Sequence, residues 1–94
     1  MPLTIKFVGA LRRISGKTQL TISFQEGMLL KELVIKVSQE MPQLEKTLGD
    51  RQLDDSRLNA LILINGREIS VLNGLETKLN DGDEIVFIPV VHGG

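Results

Sequence analysis

The stretch Glu84–Gly94, which reads EIVFIPVVHGG, contains the strand around which the rest of the chain can be arranged. Four apolar residues stand in a row from Ile85 to Ile88, without the alternation of a half-exposed strand. Such a run predicts a strand that is covered on both faces and is therefore central in a sheet. Pro89 has no N–H group, so we expect it to end the hydrogen-bonded ladder.

The N-terminal part of the chain contains two further strand patterns. Residues 3–7 alternate apolar and polar side chains, and residues 20–24 do the same. Alternation with period two is typical of half-buried strands, so the two runs predict an antiparallel pair. The segment Gly9–Lys17 between them carries glycines and basic residues, and it is predicted to be a long turn rather than a tight hairpin loop.

From Met28 onwards the apolar period changes to that of a helix. Apolar residues recur with the spacing of one helical face at Leu30, Leu33, Val34, Val37 and Met41. Ile35 lies off this stripe, and we expect it to be partly exposed. Gly27 is the one N-cap candidate, and Pro42 disfavours helical geometry at the residue before it. The pattern predicts a single main helix that ends near Met41.

Asn65-Gly66 is the strongest turn signal in the chain. The apolar run at residues 59–64 precedes it, and Arg67–Ile69 follows it as a short return strand. A type I′ turn needs positive φ at both central residues, which Asn and Gly tolerate best. The polar segment 42–57 is predicted to be a loop with a short helical turn.

The order strand, strand, helix, loop, strand, short strand, strand predicts an α+β fold, in which a mixed sheet packs around one main helix. We expect one domain that spans residues 1–94, with an ordered body at about 2–90 and a flexible C-terminal tail at 91–94. The expected core combines the helix stripe with inward strand residues, namely Ile5, Phe7, Leu20, Ile22, Ile62, Ile64 and Phe87.

Composition excludes several classes of function. A net charge of −1 over 94 residues lacks the basic excess of a nucleic-acid binder. The sequence has no apolar run of about 18 residues and no signal peptide, which predicts no membrane span and a cytoplasmic location. It has no cysteine, and His92 is the sole histidine, so thiolate catalysis and a histidine-based triad are excluded. We expect no enzyme that acts alone.

No metal site is expected either. Residues 80–84 (NDGDE) are acidic, but they lack the twelve-residue ligand spacing of a calcium loop. A solvated turn is the preferred interpretation of this segment, although its carboxylates could also steer a basic partner.

The terminal Gly93-Gly94 is the sharpest chemical feature. We expect the chain to end at Gly94, on a tail that follows directly from the predicted central strand. A carboxylate is a poor electrophile until it is converted to an acyl-adenylate. Glycines without Cβ atoms let an activating enzyme enclose the tail in a narrow channel. Because the chain has no cysteine to hold sulfur, its C-terminal carboxyl group is the position left for carrying sulfur, as a thiocarboxylate.

The stretch Leu79–Gly94 (LNDGDEIVFIPVVHGG) resembles the C-terminal signature of the MoaD/ThiS family, which comprises the small subunit of molybdopterin synthase and related sulfur carriers. The resemblance continues through Leu63–Ile69 and Phe7–Lys17, and so covers essentially the whole chain. It implies a ubiquitin-like β-grasp fold. Val90 and His92 depart from the synthase pattern, and Met28 replaces a threonine that is usual near the helix start.

The resemblance also implies a reaction. An E1-like adenylating enzyme would consume ATP to activate Gly94, a thiocarboxylate would form there, and sulfur would pass to an acceptor. In the synthase branch the acceptor is the large subunit of molybdopterin synthase, so this chain would be the sulfur-donating subunit in molybdenum cofactor biosynthesis. No cofactor is expected to be bound stably. Partners would recognise the residues leading to the terminus, namely Pro89, Val90, Val91, His92 and Gly93.

Two other functions remain open. A His-Gly-Gly end is similar to that of ubiquitin-related modifiers, which are joined to lysines or serve tRNA thiolation. A plain, non-catalytic interaction module with an incidental tail is the third alternative.

Two surface features have both a structural and a functional interpretation. Arg12, Arg13 and Lys17 form a basic group that serves solubility or contacts an acidic patch on a partner. A second, apolar set either fills the core or forms a docking patch on an open sheet face; it comprises Leu61, Leu63, Val71, Leu72 and Val90.

Overall fold

The computed structural model describes residues 2–16, 18–44 and 60–89, and within them the chain forms one mixed sheet and two α-helices. The strands are β1 (Leu3–Phe7), β2 (Gln19–Ile22), β3 (Ala60–Ile64), β4 (Arg67–Glu68) and β5 (Glu84–Pro89). The α-helices are α1 (Ala10–Ser15) and α2 (Leu30–Glu40). Single 3₁₀ turns lie at Pro42–Leu44, Ile69–Val71 and Gly74–Glu76.

The strand order in the sheet is β2-β1-β5-β3-β4, which places β5 in the middle, as its apolar run predicted. β1 pairs with β5 in parallel, whereas the other neighbours are antiparallel. The predicted antiparallel pairing of the two N-terminal strands is confirmed, with Ile5 opposite Leu20.

Helix α2 supplies the apolar layer that covers one face of the sheet. Its predicted stripe is confirmed, since Leu30, Leu33, Val34, Val37 and Met41 are all buried. Ile35 is 44% exposed, as its place off the stripe predicted. The predicted inward strand residues are also buried, apart from Leu20, which is partly buried on the edge strand β2 and packs against the core.

The start of α2 differs from the prediction. Gly27 is not the N-cap; Leu29 takes that position, and its N–H donates to the Glu32 carboxylate at 3.4 Å. The start of the helix is also tied to the segment before β5, where the Leu30 N–H donates to the Thr77 carbonyl at 2.8 Å. The local Glu32 contact and the long-range hydrogen bond to Thr77 together take the place of an N-cap side chain.

The prediction of a long turn at Gly9–Lys17 is wrong, because α1 forms inside it. Leu11 is fully buried and anchors this short helix to the core. Gly16 then ends it in the left-handed conformation (φ 73°), with its N–H donating to the Arg12 carbonyl at 3.0 Å. A helix of six residues is too short for its apolar period to stand out in the sequence, so tertiary packing decides it.

The Asn65-Gly66 turn is confirmed, with φ of 51° and 84° at its two central residues. The return strand β4 is shorter than predicted, because Ile69 leaves the ladder and is buried at the start of a 3₁₀ turn. Pro42–Leu44 forms the start of the predicted loop, and the remainder of that loop up to residue 59 lies outside the described residues. A mixed sheet packed around one main helix is the predicted β-grasp arrangement.

Candidate functional site

The root of the predicted tail is the carboxyl end of β5, and β1 holds it from one side. The two strands are parallel, with Phe7 in register with Phe87, so their carboxyl ends meet at the same end of the sheet. The two phenylalanine rings are buried and stack with centroids 5.9 Å apart. Beyond them, the Val8 N–H donates to the Phe87 carbonyl at 3.2 Å. On the other side of β5, Pro89 lies opposite Ala60 of β3.

The start of α1 lies against this root. A Cβ atom placed on Gly9 would come within 3.4 Å of Pro89 Cγ, an ordinary van der Waals distance. Gly9 itself has φ 62° and ψ −133°, a conformation that L-residues with side chains rarely adopt. The chain therefore turns into α1 directly beside Pro89, the last described residue of β5.

Of the predicted site residues, the structure describes Pro89, which is half-buried as the last described residue of β5. The others, Val90, Val91, His92, Gly93 and Gly94, lie outside the described residues, so their roles stay predictions.

The amino end of β5 is held by a hydrogen-bonded carboxylate that the sequence analysis misassigned. The predicted solvated turn is confirmed at Asn80, Asp81 and Gly82, which are exposed, but it is wrong for Asp83, which is buried at 6% exposure. Its Oδ1 accepts from Asn65 Nδ2 at 2.8 Å, and its Oδ2 accepts from the Asn80 N–H at 2.7 Å. The Asn65 amide oxygen in turn accepts from the Glu84 N–H at 3.0 Å. This group, the Asp83 clamp, ties the start of β5 to the β3–β4 turn and is not available to steer a partner.

The sheet face opposite α2 carries an apolar strip close to the tail root. Leu61 lies opposite Ile88, and Leu63 lies opposite Val86, on the outward side of β3 and β5. Leu61 is 39% exposed and the other three are half-buried, so no packed layer of the described chain covers them fully. The expectation that β5 is covered on both faces is met only in part, since Val86 and Ile88 on its outward side are half-buried. We call these four residues the outer strip.

The predicted docking patch agrees only in part with the outer strip. Leu61 and Leu63 belong to it, whereas Leu72 packs against the core and Val71 lies 73% exposed in a 3₁₀ turn. Val90 lies outside the described residues. Pairing with β3 identifies Val86 and Ile88 as further members, which the unbroken apolar run of β5 had concealed.

Glu68, at the border of the outer strip, has a carboxyl group whose pKa is lowered. Glu68 of β4 lies opposite Leu63 and accepts hydrogen bonds from the Ser70 hydroxyl and the Ser70 N–H, the latter at 2.7 Å. Both bonds favour the charged form and so lower the pKa of Glu68. The bond from the Ser70 hydroxyl makes the larger contribution, and the bond from the Ser70 N–H makes the next largest. Glu68 therefore caps the following 3₁₀ turn as a carboxylate.

The exposed face of α1 is basic. Arg12 and Arg13 are both exposed, and α1 contains no acidic residue. Among the residues that the structure describes, neither arginine forms an ion pair, whereas Lys6 pairs with Glu84 at 3.1 Å. Lys17, the third member of the predicted basic group, lies outside the described residues.

Within the described ranges, none of the helices is long and apolar enough to cross a membrane.

Comparison with known proteins places the chain in a family. The model of the ThiS family matches residues 5–94. Small archaeal modifier protein 3 from Haloferax volcanii is 26% identical over 96 residues, which cover the whole of both chains.

Two solved structures extend the likeness. The solution structure of small archaeal modifier protein 1 from Methanosarcina acetivorans has a TM-score of 0.80 and 30% identity, covering 99% of this chain and 96% of that one. The solution structure of Urm1 from Trypanosoma brucei has a TM-score of 0.75 and 28% identity, covering 99% and 95% respectively. The chain therefore belongs to the ThiS family of ubiquitin-like sulfur carriers and modifiers, as the resemblance of its C-terminal stretch predicted.

Proposed function

We propose that this protein is a sulfur carrier that is adenylated at Gly94 and converted there to a thiocarboxylate. The observation that carries the proposal is the position of Gly93-Gly94 in the sequence, five residues beyond the central strand of the sheet. A fully extended chain of five residues spans about 17 Å, which is long enough to enter another protein and short enough for the rigid sheet to aim it.

The proposed chemistry has two steps. A carboxylate oxygen of Gly94 attacks the α-phosphorus of ATP, and pyrophosphate leaves, so that the terminus becomes an acyl-adenylate. A hydrosulfide sulfur then attacks the carbonyl carbon, the bond to AMP breaks, and the terminus is left as a thiocarboxylate. An E1-like adenylating enzyme would catalyse both steps, and the chain itself supplies the substrate group. No general acid or base of this chain is required.

The body of the protein has two tasks in this scheme. The Asp83 clamp and the paired strand β1 hold β5 at its two ends, which keeps the root of the tail in one place. The outer strip gives an activating enzyme an apolar surface that leads along β5 towards Pro89. Exposed apolar surface of this kind marks protein interaction sites. A partner could therefore bind the sheet and take the tail at the same time.

For the acceptor, we propose the large subunit of molybdopterin synthase. The C-terminal stretch Leu79–Gly94 supports this choice, since it resembles the signature of the small subunit of that enzyme. In that role the chain would lend its thiocarboxylate to a pocket of the large subunit and would be regenerated by the activating enzyme.

A second candidate is a modifier that is joined to lysines of target proteins through Gly94. Two observations favour it, namely the His92-Gly93-Gly94 end and the full-length match to a small archaeal modifier protein. The lysine amine would attack the carbonyl carbon of the same acyl-adenylate and form an isopeptide bond, and the bond to AMP would break. Adenylation at Gly94 is common to both candidates.

Intact mass spectrometry tests the common step. The untagged protein is incubated with ATP, sulfide and an E1-like enzyme that is active on its own carrier. We expect a mass gain that corresponds to replacement of one oxygen by sulfur, located at Gly94 and absent without ATP. A variant that lacks Gly94 is the matched control, because the deletion leaves the described residues unchanged and moves the C-terminal carboxylate back by one residue, onto Gly93. Sulfur transfer by this variant would refute the proposal, and so would an unchanged wild-type mass with several active enzymes.

The acceptor is tested separately. The thiocarboxylated protein is mixed with the large subunit of molybdopterin synthase and its sulfur-free substrate, and the dithiolene product is measured. Cell extracts are examined in parallel for lysines that carry a Gly-Gly remnant after proteolysis. Formation of the dithiolene product without Gly-Gly remnants on lysines supports a sulfur carrier in cofactor synthesis. Gly-Gly remnants without the dithiolene product support a protein modifier.

A further inference from the structure

Helix α1 lies beside Pro89, the root of the tail, because of the sheet topology. β1 and β5 run in the same direction, with Phe7 opposite Phe87. α1 begins at Ala10, three residues beyond Phe7, and the chain beyond Pro89 begins three residues after Phe87. A protein that encloses the tail down to its root must therefore approach α1.

The charge on α1 is not balanced within the described chain. Arg12 and Arg13 are exposed, and no described residue forms an ion pair with either of them. By contrast, Lys31 is paired with Glu76 at 3.0 Å, and Lys6 has its own acidic partner. Among the described residues, the two positive charges of α1 thus lack an acidic partner, in a chain whose net charge is −1.

The backbone that presents these charges is held in place. Leu11, between Gly9 and the arginines, is fully buried in the core. The Ser15 hydroxyl donates to the Arg12 carbonyl at 3.4 Å, and the Gly16 N–H donates to the same carbonyl at 3.0 Å. The two guanidinium groups therefore project from a short helix whose position is set by the core and not by a mobile turn.

We propose that Arg12 and Arg13 form a second contact for the activating enzyme, and that this contact binds an acidic protein surface at the mouth of the channel that takes the tail. This inference rests on the proposed function, since it concerns the enzyme that receives Gly94. Arginine forms bidentate hydrogen bonds to carboxylates, which gives such a contact geometric specificity. The outer strip supplies apolar contact area, and the basic helix steers the approach and sets the orientation of the carrier.

The test is the kinetics of adenylation, followed as release of pyrophosphate with an activating enzyme that accepts the wild-type protein. The test variant is Arg12→Glu/Arg13→Glu. Its matched control is Arg67→Glu/Lys78→Glu, which makes the same change in net charge at two exposed residues outside α1. Far-UV circular dichroism confirms that both variants are folded.

We expect the KM for the α1 variant to rise about tenfold at low ionic strength, in line with the contribution of complementary surface charges to association. Its kcat should stay at the wild-type value, because the terminus still reaches the active site. The difference in KM should shrink as salt is added, since exposed charges are screened. The conservative variant Arg12→Lys/Arg13→Lys should recover part of the lost affinity.

Two results would overturn the inference. They are an unchanged KM for the α1 variant, whether or not its kcat falls, and an equal rise in KM for the control variant. If these occur while the wild-type protein is adenylated, the proposed function stands and the α1 contact alone is refuted. A wild-type protein that no active enzyme adenylates refutes both proposals together.

Discussion

Replacement of Asp83 by alanine should destabilise the fold more than the loss of any exposed carboxylate, because it dismantles the Asp83 clamp. The side chain accepts two hydrogen bonds, from Asn65 Nδ2 at 2.8 Å and from the Asn80 N–H at 2.7 Å. Asp83→Ala removes both acceptors and leaves two donors without their partner at the start of the central strand.

The size of the effect follows from these two bonds. A hydrogen bond to a charged group contributes about 1.5–3 kcal/mol to the free energy of unfolding. Asn65 and Asn80 are exposed residues, so water can replace part of the lost interaction and the lower end of the range applies. We therefore expect Asp83→Ala to lower the free energy of unfolding by about 3 kcal/mol. Asp83→Asn keeps one acceptor oxygen, and its expected loss is about 1.5 kcal/mol.

Urea denaturation followed by far-UV circular dichroism measures the loss, since the chain has no tryptophan or tyrosine for fluorescence. With an m-value of about 1.5 kcal/mol per M, the midpoint of Asp83→Ala should fall by about 2 M. The control is Glu26→Ala, which removes a carboxylate from an exposed turn and should change stability by less than about 0.5 kcal/mol.

A double-mutant cycle tests whether the hydrogen bond between Asn65 and Asp83 accounts for the loss of stability. Asn65→Gly removes the amide and tolerates the positive φ of 51° at that position. Its cost should be about 1 kcal/mol smaller in the Asp83→Ala background, because the shared hydrogen bond is already absent. If Asp83→Ala behaves like Glu26→Ala, or if the two effects simply add, the clamp does not stabilise β5 as described.

Three further predictions concern titration, backbone conformation and packing. Ser70→Ala should raise the pKa of Glu68 towards its ordinary value in an NMR titration. Because the pKa of Glu68 is depressed in the folded state, its carboxylate stabilises the fold above the unfolded pKa, and this stabilisation is lost as pH falls through the folded pKa. The variant should therefore lose less stability than the wild-type protein on acidification. In urea denaturation, Gly9→Ala should lower the free energy of unfolding by about 2–3 kcal/mol and Gly16→Ala by about 1 kcal/mol. The reason is that the conformation of Gly9 (φ 62°, ψ −133°) is less accessible to alanine than the left-handed conformation of Gly16 (φ 73°, ψ 7°). Equal losses for the two variants would contradict this reason. Phe87→Ala should lower the free energy of unfolding by about 3–5 kcal/mol, because it opens a cavity in the centre of the sheet, and a loss below 1 kcal/mol would show that the ring stack is not part of the core.

Local patterns in the sequence were sufficient for the main elements. The stripe of α2, the alternation of β1 and the Asn65-Gly66 turn each depend on residues within one element, so the periodicity alone predicts them. The central position of β5 followed from its unbroken apolar run, and the family followed from the C-terminal signature. The chemistry proposed for Gly94 also comes from the sequence, since the structure describes the chain as far as Pro89.

What the sequence could not decide depends on contacts between residues far apart in the chain. Asp83 and Asn65 are separated by 18 positions, so an acidic turn became a buried clamp only when β5 docked beside the β3–β4 turn. α1 needs Leu11 to meet the core, because six residues do not form a stable helix by propensity alone.

The exposure of the outer strip could not be predicted from the sequence either. An apolar run indicates that a strand is buried, but it does not show which face lacks a covering layer. The sequence thus predicted the main helix, the strands of the sheet and their order, because these depend on local period and residue type. Tertiary contacts were needed to show that the outward side of β5 is half-buried, that α1 lies beside Pro89 and that Asp83 holds the strand, because these depend on which distant segments pack together.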